Sequence, residues 1–336
     1  MIKKHQNQQK NELDIIERFK RGEIRITEAF NLLMGLEQAD SKSKAAAPSI
    51  GNPSKGKDAT EQNILEELLI EMDRLVGLQE VKSLIKEFIA FLQIQKIRRD
   101  YNLKTQPVVM HMIFKGNPGT GKTTMARIIG KIFRELGFLK NGELTEVERA
   151  DLVGEYIGHT AQKTRKIIHR AMGGVLFVDE AYSLARGGEK DFGKEAIDTM
   201  VKAMEDHKDE LVIILAGYRD EMDYFLESNP GLRSRFAIKL DFPNYSIDQL
   251  VEIAEMMYQD REYLLDKESK HYIYRVLTYL LNTEGSNNGN ARTVRNLVER
   301  SIRHQAWRLV NSKAYNHKNL LTITKEDLAR EVISYE

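Results

Sequence analysis

Cysteine is absent from this 336-residue chain. That excludes disulfides, thiolate nucleophiles and cysteine-ligated metal sites. Charge of a prevailing sign is lacking too: 51 Lys and Arg oppose 50 Asp and Glu, for a formal net charge of +1. The simplest ground for a nucleic-acid or anionic-membrane partner is thereby removed, and neither partner is expected. No apolar run approaches the roughly 20 residues that a membrane-spanning helix needs. The start, MIKKHQNQQKNELD, has basic residues with no apolar stretch behind them, so it does not read as a secretory signal. The eight histidines form no HExxH or comparably close-spaced ligand pattern. No internal repeat is visible. These absences leave a soluble, cytoplasmic protein as the expectation.

What is there suffices for about two domains with a sizeable core, since 41% of the residues are apolar. Apolar residues at helical spacing (Leu13, Ile16, Phe19, then Phe30 and Leu33), with a break at Gly22, predict a small helical hairpin over 1–38. The stretch DSKSKAAAPSIGNPSKGKD is too poor in large apolar residues to pack, so 39–60 reads as a flexible linker. Helical periodicity returns over Asn63 to Asp100. From Pro107 the pattern changes: the short apolar runs VVMHMIF, VLFV and LVIILA are separated by helical sequence. Such alternation predicts a parallel sheet covered by helices on both faces, here over 61–243. Beyond Pro243 strand-like runs mostly stop. A helical domain over 244–336 follows, broken by a polar loop near Asn282 to Asn290, with LLTIT as a short strand and a last helix from Lys325.

The segment Gly116-Asn117-Pro118-Gly119-Thr120-Gly121-Lys122-Thr123 fits GxxxxGK[ST] in full. The glycines let the backbone fold around a phosphate chain, and the following helix turns its positive end to it. Lys122 brings an ammonium to the β- and γ-phosphates, and Thr123 brings a hydroxyl to Mg²⁺. Further on, Val175-Leu-Phe-Val-Asp179-Glu180 ends a buried strand in two acids. At the carboxyl edge of a sheet Asp179 can hold Mg²⁺ through water, and Glu180 can polarise an attacking water. A GTPase reading competes through Asp151-Leu-Val-Gly154 and Thr324-Lys-Glu-Asp327. The second of these lies far beyond the first, where a helix start with Thr324 as cap is the ordinary alternative.

Asn229-Pro-Gly-Leu-Arg233-Ser-Arg235-Phe236 puts two arginines in one turn. Surface ion pairs are their ordinary role, but a guanidinium also suits the charge on a transferring γ-phosphoryl group and can act in trans. Sites between subunits would then call for a ring. Arg292, at a helix start in Asn288-Gly-Asn-Ala-Arg292, is in sequence position to reach back to the γ-phosphate.

Taken in order, LVGLQEVK at Leu75, GNPGTGKTT at Gly116, DLVGEYIGHTAQKT at Asp151, AMGGVLFVDEAYSL at Ala171, LVIILAGYRDEM at Leu211, NPGLRSRF at Asn229 and GNARTVRN at Gly289 make a specific pattern. From about Asp73 onward the chain resembles the AAA+ ATPases. Within them it resembles the CbxX/CfqX group, which includes the red-type Rubisco activases, and it is most similar to that group's sporulation-associated members. The resemblance implies an αβα P-loop ATPase domain with a five-stranded parallel sheet, a C-terminal helical lid, ATP and Mg²⁺ as ligands, and a hexameric ring. It makes Gly116 to Thr124 the nucleotide loop, with Lys122 and Thr123 the Walker A pair and Asp179 and Glu180 the Walker B pair. It makes Arg292 the lid arginine and Arg235, with Arg233 beside it, the finger acting on a neighbour. Leu75, Val76 and Gly77 would line the adenine pocket, and Tyr218 takes the place of the usual polar water-orienting residue. Tyr156, Ile157 and Gly158 match the pore loop that grips a protein client; the alternative is that Tyr156 packs on its own domain. Remodelling of a protein client leads. A nucleotide-gated assembly module with slow turnover is the alternative, and a nucleic-acid motor comes behind both. A Rubisco-type client would rest on family analogy alone.

Overall fold

The computed structural model describes residues 58–105, 108–156, 158–186, 192–284, 289–313 and 315–329. The expected N-terminal hairpin lies outside these residues, and so does the expected linker apart from its end. Helix α1 (Asp58–Arg74) already begins inside that stretch. After it come α2 (Gln79–Asp100), β1 (Met112–Gly116), α3 (Lys122–Glu135), β2 (Leu144–Val147), α4 (Arg149–Leu152) and α5 (His159–Ala171). Strand β3 (Val175–Val178) leads through a 3₁₀ turn at Ala181–Ala185 to α6 (Gly193–Asp206), β4 (Val212–Gly217), α7 (Arg219–Glu227), α8 (Pro230–Arg233) and β5 (Ile238–Phe242).

The strands form one parallel sheet in the order β2-β3-β4-β1-β5. The central strands β3 and β4 are buried along their whole length. That explains their unbroken apolar runs, because both faces of a parallel sheet are covered. On one face Ile113, Leu176, Val178, Ile213 and Leu215 pack with Ile168, Met200, Met204, Met222 and Phe225 of α5, α6 and α7. On the other, Phe114 meets Phe177 and Phe242 at ring separations of 6.4 and 5.0 Å. There α3 lies close enough to the sheet that a Cβ at Gly130 would sit 3.1 Å from Val175 Cγ2. The strand read from Val108 starts only at Met112, where pairing with β4 and β5 begins; Val109 is exposed.

The helical part holds α9 (Ile247–Gln259), β6 (Leu264–Leu265), α10 (Lys267–Glu284), α11 (Ala291–Ser312), α12 (His317–Leu321), β7 (Thr322–Ile323) and α13 (Lys325–Ala329). The short strand expected at LLTIT is β7. It pairs in parallel with β6, which the sequence pattern did not suggest. The guanine-reading alternative for Thr324–Asp327 fails here. Asp327 is buried, receives Arg308 Nε and Nη2 at 2.7 and 2.9 Å, and accepts from the backbone N–H and hydroxyl of Thr324. Its carboxylate is consumed in holding α13 to α11.

Candidate functional site

The five strands are parallel, so their carboxyl ends lie on one side of the sheet, where such folds bind ligands. Strand β1 runs into the glycine-rich turn, whose last residue, Gly121, is the N-cap of α3 with φ 94° and no side-chain cap. The first-turn amides of α3 therefore have no intrahelical partner and face the loop. Strand β3 delivers Asp179. Its Oδ1 accepts the N–H of Glu180 at 3.0 Å, and Glu180 sits at φ 46°, ψ 43°. Left-handed backbone at a non-glycine residue costs of order 1 kcal/mol and persists where its surroundings over-determine it, a common feature of active sites.

These ends enclose a polar cavity of about 440 Å³. The loop contributes Gly116, Pro118, Gly119, Gly121, Lys122, Thr123 and Thr124. The strand ends contribute Glu146, Asp179, Glu180, Gly217 and Tyr218, and the helical domain contributes Arg292 and Arg295. Lys122 Nζ donates to the carbonyls of Gly116 and Asn117, both at 2.8 Å. Burial holds its ammonium below the ordinary lysine pKa, while Asp179 pulls it back up and Arg292 pushes it further down. An anion arriving beside Lys122 and Arg292 would favour the charged ammonium and offset their mutual repulsion.

The loop backbone fits a polyphosphate. The carbonyls of Pro118, Gly119 and Thr120 are taken by Asn290 Nδ2, Ala291 N–H and Tyr245 Oη at 3.2, 3.2 and 3.1 Å. The N–H groups of Gly119, Thr120 and Gly121 have no acceptor among the described residues. Thr120 itself is buried and donates its hydroxyl to the Asn117 carbonyl at 2.8 Å. A magnesium ion also fits the donor set. Thr123 Oγ1, Asp179, Glu146 and Glu180 share the cavity, and no cluster of three or more His, Asp or Glu preforms a cage among the described residues. Mg²⁺ is held by few carboxylates plus phosphate and water, so a sparse site suits it.

Tyr218 lines the cavity and stands 6.1 Å, ring to ring, from Tyr182. Burial and the nearby charge of Glu180 push the Tyr182 phenol up to about 12, so it stays protonated. A Cβ at Gly217 would lie 2.6 Å from the Tyr182 ring, so this platform requires glycine.

Other expected residues lie apart from the cavity. Leu75, Val76 and Gly77 do not line it. They form the turn between α1 and α2, whose next residue, Leu78, has its Cδ1 3.5 Å from a Cβ built at Gly121. The turn is tied down by buried Lys82, which donates to the carbonyls of Asp73 and Leu75. Arg233 and Arg235 also lie outside the cavity of their own chain. Arg235 pairs with Glu205 and donates to the Gly231 carbonyl at 2.7 Å. Tyr156 is 65% exposed, in edge contact with His159, and nothing lies within 4 Å of a Cβ built at Gly158. Ile157 lies outside the described residues.

Glu146 was missed from the sequence. A glutamate within a short edge strand gives no local signal, yet its Oε1 stands 3.5 Å from Thr123 Oγ1. Asn244 and Asn290 were missed as well, because their partners are remote in sequence.

Comparison with known proteins agrees with this geometry. Residues 112–244 match the ATPase family associated with various cellular activities (AAA), and 246–334 match the AAA lid domain. Stage V sporulation protein K of Bacillus subtilis (strain 168) is 53% identical over 277 residues, covering 81% of this chain and 85% of that protein. The chloroplastic ribulose bisphosphate carboxylase/oxygenase activase of Cyanidioschyzon merolae (strain NIES-3377 / 10D) is 43% identical over 273 residues, covering 80% and 92%. Among solved structures, a mutant of Thermotoga maritima RuvB is 20% identical with a TM-score of 0.53, covering 79% of this chain and 73% of that one. At that identity it shares the fold alone.

Proposed function

This chain belongs to the AAA ATPases, and from that premise we propose that it works as a homo-oligomeric ring, a hexamer by family pattern, that spends ATP to remodel a protein client. One observation carries the reading: the cavity holds Lys122, Asp179, Glu180 and Arg292 from its own chain, while Arg233 and Arg235 stand outside it. In a head-to-tail ring, an arginine placed outside its own cavity is available to a neighbour's γ-phosphate. Arg235 is the better finger. Arg235 is half-buried and held toward the surface by exposed Glu205, a partner that a neighbour's phosphate would replace.

Within one subunit the roles follow from position. The amides of Gly119 to Gly121 and the α3 N-terminus bind the phosphate chain, with Asn117, Pro118 and Thr124 shaping the loop. Lys122 and Arg292 neutralise charge on the γ-phosphate. Thr123 and Asp179 would hold Mg²⁺, with Glu146 close by; the ion, when bound, offsets charge on the β- and γ-oxygens. Glu180 accepts a proton from the attacking water. The oxygen–phosphorus bond forms as the bond from the γ-phosphorus to the β–γ bridging oxygen breaks, and ADP leaves with that oxygen. Tyr218 offers its hydroxyl to the same water. Leu75, Val76 and Gly77 accept the adenine beyond the cavity.

Exposure of Tyr156 beside an open Gly158 favours the pore role over packing on its own domain. A large, rigid aromatic grips varied polypeptide without reading its sequence. Similarity to a sporulation protein suggests a client handled during spore formation, and an algal relative named as an enzyme's activase supports a protein as client.

The test is capture. In the cell of origin, Glu180→Gln rings loaded with ATP should retain specific proteins, and Glu180→Gln/Tyr156→Ala rings should lose them. Equal retention by both would remove the pore role.

A further inference from the structure

Asn290 is the last residue before α11 and is fully buried. Its backbone stands at φ 50°, ψ −129°, where a side chain is strained. Its amide is used at both ends. Nδ2 donates to the Pro118 carbonyl at 3.2 Å and to Asn244 Oδ1 at 3.0 Å, and Oδ1 accepts the Tyr245 N–H at 3.0 Å. Asn244 Oδ1 also accepts Asn117 Nδ2 at 2.9 Å. Three asparagines from the loop, the interdomain junction and the lid therefore share one network. The next residue extends it, because the Ala291 N–H donates to the Gly119 carbonyl at 3.2 Å. The approach is so close that a Cβ at Gly119 would collide with the Gly289 carbonyl and lie 2.9 Å from the Arg292 nitrogen.

We infer that Asn290 is a positioning residue, a latch that fixes the lid to the outer side of the phosphate loop and so sets Arg292 against the nucleotide. It rests on the reading of that loop as the ATP site. The chemistry of asparagine suits the task. It offers a donor and an acceptor at once, and at ψ −129°, outside the left-handed helical region, those bonds hold the backbone in place. Aspartate would present only acceptors to the Pro118 and Asn244 oxygens. Glycine would accept the backbone but supply no amide. Because the latch grips loop carbonyls whose own amides face the phosphates, a nucleotide that reorients those peptides also loads the latch. The lid is then ordered by occupancy of the loop as well as by Arg292.

The experiment compares wild type with Asn290→Gly, Asn290→Asp and Asn244→Ala. It measures equilibrium binding of a fluorescent, non-hydrolysable ATP analogue and amide hydrogen exchange of a peptide spanning 289–296, with and without that analogue. Wild type should bind and show slower exchange in that peptide when loaded. Asn290→Gly, which suits the backbone, should stay folded with a lowered melting temperature, because buried groups lose their partners, and should bind the analogue several-fold more weakly. Its nucleotide-dependent protection should disappear. Asn290→Asp should do the same. Asn244→Ala, at an exposed position, should shift both readouts in the same direction by less, and it carries the test if an Asn290 variant fails to fold. Folded variants that bind within twofold of wild type and keep the protection would overturn the latch. Wild type that binds no nucleotide would instead overturn the reading of the loop.

Discussion

Glu180→Gln should leave ATP binding intact and lower steady-state hydrolysis by roughly two to four orders of magnitude, the usual worth of a placed general base. Glu180 lines the cavity at a strained backbone position directly after Asp179, and the Asp179 carboxylate holds its N–H. The amide of glutamine is nearly the same shape as the carboxylate but cannot take the proton of the attacking water. Lys122, Thr123 and the loop amides are untouched, so affinity should stay within a few-fold of wild type. Single-turnover phosphate release, with analogue binding measured in parallel, separates the two quantities. Hydrolysis at the wild-type rate would show that another group accepts the proton; Glu146 would then be the next candidate, since it is the other carboxylate near Thr123.

The second large effect lies between subunits. Arg235→Ala should reduce turnover by about three orders of magnitude or more, the scale of a lost arginine finger, while each subunit still binds nucleotide. The discriminating step is to mix this variant with Glu180→Gln. Each is inactive by itself, and a site between neighbours can draw its intact Glu180 from one chain and its intact Arg235 from the other. An equal random mixture should recover roughly a quarter of wild-type turnover, because that fraction of head-to-tail interfaces pairs the two intact halves. A finger acting within its own chain gives no recovery. The same mixture made with Arg233→Ala separates the two arginines. Arg235 is the firmer choice: next to it Phe236 is buried against His111, 6.1 Å ring to ring, which fixes where the guanidinium leaves the surface.

Much of this architecture could be read from the residues, for reasons the structure makes concrete. Strands β3 and β4 are covered on both faces, and such strands must be apolar throughout, so VLFV and LVIILA stood out. The edge strands β2 and β5 are covered in part. LTEV and IKLDF mix polar and apolar residues, and only the resemblance implied that the sheet had five strands. The pair β6 and β7 is two residues long on each side, below any periodic signal. The phosphate loop was legible because its chemistry is carried by neighbours in sequence. Glu146, Asn244 and Asn290 were not, because each acquires its role from a partner brought near only by folding. The polar loop before Arg292 read as a break between helices, and the helices do stop at Glu284 and resume at Ala291. Its last residue, Asn290, is in addition a buried contact to the nucleotide loop.

The central claim is that one chain holds an ATP-binding half-site and an assembly completes it. The direct measurement follows nucleotide binding and ATP turnover per subunit across a dilution series, with mass determined at each concentration. Binding per subunit should stay constant as rings dissociate, and turnover per subunit should fall steeply with the assembled fraction. Dilute monomers that hydrolyse ATP at the full per-subunit rate would contradict the account.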